Sequence, residues 1–277
     1  MFKRIVICLD GSQLAERIIP YACGLAESAK AKIKILRIVD YGEDFTAVAQ
    51  YVKAWGESLS CPAEVVKVQH AVASTLLAEL WSCPGDLPAL TTRGHAGIME
   101  PVLGSTALAV IRKLGGPVFV IHPIADKTTL NYHVHSIIAA LDGSRYSEKI
   151  LPYAAQLAQV LKLNLELIQA IPGGREIPPE IKQDVLEDAY LAPRAHHLEK
   201  EFGVRVKWDV LHGPPAKAIC SYVSGRKDAL LAMTSHARRP VEHALLGSVT
   251  SACVRGAEIP LLIEGFNERE SLYEAAI

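Results

Sequence analysis

Asp10-Gly11-Ser12 follows directly on the apolar run Ile5 to Leu9, and the same triplet, Asp142-Gly143-Ser144, follows Ile137 to Leu141. A carboxylate, a glycine and a hydroxyl at the end of a strand can orient a polar ligand through the side chains and the neighbouring backbone amides. Later in each copy a second small-residue signature recurs, Gly104-Ser105-Thr106 and Gly247-Ser248-Val249, ahead of a helical stretch. Unpaired amides at a helix start favour an anion by about 0.3–1 kcal/mol from the dipole alone, and glycine lets a phosphate approach the backbone. Ser105 has the residue type of an N-cap for the helix after it. The two signatures together describe a carboxylate turn beside a phosphate cradle. Either one alone is equally well an ordinary turn or a helix cap.

Positioning these groups requires two copies of one unit. Glu16, Ile18, Pro20, Tyr21, Ala22, Leu25 and Ala26 recur as Glu148, Ile150, Pro152, Tyr153, Ala154, Leu157 and Ala158. The repeat is too long for a solenoid element and long enough for a domain with its own core, which predicts domains over 1–127 and 128–277. In each copy short β-branched runs alternate with helical stretches, the order of a parallel, doubly wound sheet covered on both faces. The first copy predicts strands at 4–9, 32–39, 64–69, 87–91 and 118–121, with helices at 14–29, 46–58, 74–82 and 105–113. Pro20 and Pro152 conflict with a single long first helix in each copy. The second copy adds a longer loop, Pro172 to Pro179, and a long helix over 180–202. In such sheets a ligand sits outside the carboxyl ends of the strands, where both signatures fall.

Composition narrows the function. The chain has 277 residues, 50% of them hydrophobic, and a formal net charge of −1. Near-neutrality without a basic stripe argues against nucleic acid and acidic membrane surfaces as partners. The opening Met1-Phe2-Lys3-Arg4-Ile5 lacks a signal-like apolar segment, so a cytoplasmic location is expected. The six cysteines form no C-x-x-C pair, and they are expected to be reduced and mostly buried. His196, His197 and His243 have no spacing that argues for a metal, and none is expected.

The order of motifs resembles the universal stress protein family in its tandem form. That family carries an Asp-containing turn after the first strand and, after the fourth, G-x-x-G, nine residues, then G-[ST]. The resemblance spans nearly the whole chain twice. It implies five-stranded, adenine-nucleotide alpha-hydrolase-like domains and an ATP-type ligand (ATP, ADP or AMP), with magnesium as a possible companion. It places Asp10, Gly11, Ser12 and the strand-end backbone near Val39 against the adenosine. Thr91, Arg93, Gly94, Gly104, Ser105 and Thr106 fall at the phosphates, with His95 nearby. The corresponding second site comprises Asp142, Gly143, Ser144, Thr234, His236, Ala237, Gly247 and Ser248. Thr91 and Thr234 stand where the first family glycine is expected, and Ala237 replaces the next one. If that position needs a left-handed backbone, a Cβ costs about 1–2 kcal/mol, so the first site is expected to be the stronger.

The resemblance also implies pairing through the last strand, which would make the tandem chain an intramolecular pseudo-dimer, with a homodimer left open. No nucleophile, base and orienting residue recur together, so a stress-response regulator of an unknown partner protein is expected, with at most slow ATP hydrolysis. A nucleotide-free interaction scaffold with degenerate loops is the alternative.

Overall fold

The computed structural model describes residues 2–92, 103–123, 132–172, 183–235 and 246–265, with the backbone alone for 183–188. Arg93, Gly94, His95, His236, Ala237, Arg238, Arg239 and His243 lie outside the described residues, as does the loop from 173 to 182. The chain divides into two compact units. One reaches His133 and takes in Gly265; the other is Val134–Glu264.

The first unit runs β1 (Arg4–Leu9), α1 (Gln13–Glu16), α2 (Ile18–Ala29), β2 (Lys32–Val39), α3 (Phe45–Ser58), β3 (Ala63–Lys67), α4 (Val72–Trp81), β4 (Asp86–Thr91), α5 (Ser105–Lys113) and β5 (Pro117–Ile121). Its strands lie in the order β3-β2-β1-β4-β5, all pairs parallel. The second unit runs β6 (Ser136–Leu141), α6 (Arg145–Glu148), α7 (Leu151–Leu161), β7 (Leu165–Ile171), α8 (Gln183–Phe202), β8 (Val206–His212), α9 (Pro215–Val223), β9 (Ala229–Thr234), α10 (Ser248–Gly256) and β10 (Leu261–Glu264). Its order is β10-β9-β6-β7-β8, also parallel. In both units the first strand is central and continuously apolar, as burial on both faces requires; Ile5, Ile7, Ile137, Ile138 and Ala139 are fully buried.

Two expectations need correction. The single helix over 14–29 is two helices, broken at Arg17, and its twin breaks before Leu151. Proline at 20 has no N–H for the Glu16 carbonyl and its ring crowds that carbonyl, so the helix restarts with the proline in its first turn. Pro152 does the same in α7. The prolines are therefore placed where helices tolerate them, and each leaves a short helix directly behind the Asp-Gly-Ser turn. The cysteines are less buried than expected: all six are free, and only Cys253 is fully buried. Pro88 is accommodated inside β4 because pairing with β5 begins one residue later, at Ala89.

Candidate functional site

The Asp-Gly-Ser turns have nearly the same geometry in both units. In the first, Asp10 Oδ1 accepts from the Ser12 amide at 2.9 Å and from the Ser12 hydroxyl at 2.6 Å. The Ser12 hydroxyl in turn accepts from the Ala15 amide at 3.1 Å and caps α1. In the second, Asp142 Oδ1 accepts from the Ser144 amide and hydroxyl at 3.0 and 2.6 Å, and Ser144 caps α6 through the Ser147 amide at 3.2 Å. Gly11 and Gly143 have φ of 82° and 89°, the left-handed region that a Cβ disfavours, which is why glycine stands between the two polar residues.

A second repeated device sits at the end of the fourth strand of each unit. The Thr92 amide donates to the Ile121 carbonyl at 2.9 Å, and the Gly104 amide returns to the Thr92 carbonyl at 2.8 Å. Ser235 and Gly247 repeat it: the Ser235 amide donates to the Glu264 carbonyl at 2.8 Å and the Gly247 amide to the Ser235 carbonyl at 2.8 Å. The chain thus leaves the sheet and comes back to the same peptide, which fixes where α5 and α10 begin. Thr92 also bonds through its hydroxyl to His122 Nδ1 at 2.8 Å.

This clasp revises the expected roles of two residues. Gly104, not Ser105, is the N-cap of α5, and it makes no side-chain capping bond. Ser105 is the first helical residue and is exposed. Because the Gly104 amide is already engaged, the backbone donors α5 can offer an anion are those of Ser105, Thr106 and Ala107. Gly247 and Ser248 stand in the same relation at α10. The strands β1 and β4 are hydrogen-bonded neighbours, about 4.8 Å apart, so the Asp10 turn and the start of α5 rise from adjacent strands at the same end of the sheet. Thr91 is buried at that end, and Thr234 holds α10 through its carbonyl, which accepts from the Thr250 hydroxyl at 2.8 Å.

On the other side of β1, Val39 ends β2, buried, with its carbonyl bonded to the Val68 amide at 2.9 Å. Two features there were not anticipated from the sequence. Tyr51 on α3 donates to Glu16 Oε1 at 2.8 Å, and Tyr190 on α8 donates to Glu148 Oε1 at 3.0 Å. Each latch ties the short helix behind the turn to a long helix. Arg194 reinforces the second latch, with Nε and Nη2 at 2.8 and 2.6 Å from the same Glu148 oxygen. Burial, followed by the hydrogen bond to Glu16, raises the Tyr51 pKa; burial pushes Tyr190 up to about 12. The recurrence of Glu16 as Glu148 was the available signal. The tyrosines were hidden because the segments before them differ in length. The other unanticipated residue is Arg37, a guanidinium buried in β2 beside the turn.

The comparisons with known proteins agree with this fold. A family model described as "Universal stress protein family" matches residues 133–263. Universal stress protein Slr1230 of Synechocystis is 25% identical over 299 residues, covering 94% of this chain and 99% of that one. Residues 133–263 match the universal stress protein family, and the chain is similar to a member of it over nearly its whole length. Another family protein, Mb2028c of Mycobacterium bovis, is 26% identical over 227 residues, covering 78% of this chain and 75% of its own. The crystal structure of a universal stress protein from Archaeoglobus fulgidus has the same fold, with a TM-score of 0.72 at 18% identity over 94% of this chain and 97% of that one. Among the described residues, no helix is long and apolar enough to cross a membrane.

Proposed function

We propose that the chain binds ATP or a related adenine nucleotide at the carboxyl ends of β1, β2 and β4, and that occupancy of this site, not rapid turnover, carries its role in stress. The observation that supports this reading is the doubled constellation: a left-handed Asp-Gly-Ser turn beside a helix start that a backbone clasp holds in place. The clasp leaves the amides of Ser105 and Thr106 and their hydroxyls for a phosphate, in a helix with no acidic residue in its first turn. Asp10 and the strand end near Val39 are assigned to the adenosine by the family resemblance.

The scaffold reading draws on the threonines at 91 and 234 and on Ala237, which depart from the family's glycines. The two readings separate on the purified chain. Denaturing it without added ligand and weighing the released small molecules by mass spectrometry is expected to yield an adenine nucleotide. Absence of nucleotide, together with no binding of added ATP, would support the scaffold instead.

A further inference from the structure

Arg37 is only 6% exposed, yet it is incompletely paired. Its Nη2 donates to Glu43 Oε1 at 2.5 Å, while Nε is buried with no partner among the described residues. Buried polar groups are nearly always satisfied, and a guanidinium carries five donors, so this arrangement points to a missing acceptor. The direction of the side chain is set by its neighbours. Glu43 lies in the loop after β2, where its other oxygen accepts from the Asp40 amide at 2.6 Å, so the guanidinium is drawn toward the carboxyl end of the sheet. Arg37 is in register with Leu9, the residue before Asp10.

The second unit shows what this register position faces. Gln169 pairs with Leu141 as Arg37 pairs with Leu9. Its Nε2 lies 3.2 Å from where a Cβ on Gly143 would stand, so its side chain lies against the Asp-Gly turn. The two units therefore differ in charge at this register position, with a guanidinium in the first and a neutral amide in the second.

We propose that Arg37 is the specificity determinant of the first crevice, making it select an adenine ligand that carries phosphate over the uncharged nucleoside, with Glu43 moderating its pull. The inference rests on the nucleotide reading and extends it to ligand charge. A cation in a poorly solvated site attracts an anion more strongly than it would in water, and partial neutralisation by a carboxylate weakens that attraction. Gln169 leaves the second crevice without this discrimination.

The test is calorimetric titration of the full chain with ATP and with adenosine, for wild type, Arg37→Gln and Glu43→Gln. Arg37→Gln installs the residue the twin unit already accommodates. It is expected to lose about tenfold in ATP affinity while keeping adenosine affinity, which also reports that the crevice is folded. Glu43→Gln is expected to gain severalfold for ATP. A purely structural ion pair predicts the same direction for both variants and both ligands, so parallel losses, or no change in either, overturn the inference. If Arg37→Gln does not fold, absence of an ATP gain in Glu43→Gln overturns it alone. A wild-type chain that binds both ligands with Arg37-independent affinity sinks the charge assignment only. A chain that binds neither sinks the nucleotide reading and this inference with it.

Discussion

At the scale of single residues, the turn after the first strand is the most constrained feature. Gly11 and Gly143 take positive φ while their flanking Asp and Ser close on each other, so the triplet is one hydrogen-bonded unit. Gly11→Ala should cost about 1–2 kcal/mol, read as a shift in the denaturation midpoint. Gly143→Ala should cost at least as much, because a Cβ there also meets the Gln169 amide at 3.2 Å. The triplet was legible in the sequence because it repeats after the same apolar run. Ser105 was misread because residue type alone does not show which residue ends the non-helical segment. Gly104 takes the cap position at φ −59° and ψ 140°, held there by the Thr92 carbonyl, a contact made across the loop. Arg37 was not legible at all. In the run Lys32 to Val39 a lone arginine looks like a solvated face, and only register and burial show it beside the turn.

At the scale of elements, the decisive event is the break between the two helices after the turn. Pro20 and Pro152 conflict with a continuous helix in both copies; in the structure they lie in the first turn of the second helix, behind a four-residue helix that carries Glu16 or Glu148. That short helix cannot be stable alone and depends on its latch to α3 or α8. Tyr51→Phe is expected to destabilise the first unit by about 1–2 kcal/mol, since Tyr51 supplies the hydroxyl bond to a carboxylate. Tyr190→Phe should cost less, because Arg194 still holds Glu148. The pH dependence follows from the raised tyrosine pKa. A proton held more tightly in the folded chain stabilises it fully below the ordinary tyrosine value of 10.0, and this contribution is lost as pH rises toward about 12. The stability gap between wild type and Tyr190→Phe should therefore be flat from about pH 7 to about pH 9 and shrink above about pH 10. A gap that shrinks on acidification through neutral pH would contradict the assignment. The strand boundaries were legible within one or two residues, since fully buried parallel strands are continuous apolar runs bounded by Gly, Asp or Pro.

At the scale of the whole molecule, the two units share strand order, turn and clasp, and their sequences differ around them. Gln169 stands at the repeat position of Arg37 and Thr250 at that of Ala107, and Arg194 reinforces only the second latch. Among the described residues, the second copy thus has an arginine on its latch and a threonine hydroxyl bonded at the start of α10, and a neutral amide where the first keeps a buried cation. This asymmetry predicts that the two crevices are not equivalent and that the first is the working site. Calorimetric titration of the full chain with ATP tests that claim most directly, comparing wild type with Asp10→Ala and Asp142→Ala. The account predicts one dominant site per chain, weakened about tenfold or more by Asp10→Ala, equivalent to about 1.4 kcal/mol, and little changed by Asp142→Ala. Two equal sites, or a loss confined to Asp142→Ala, would contradict it.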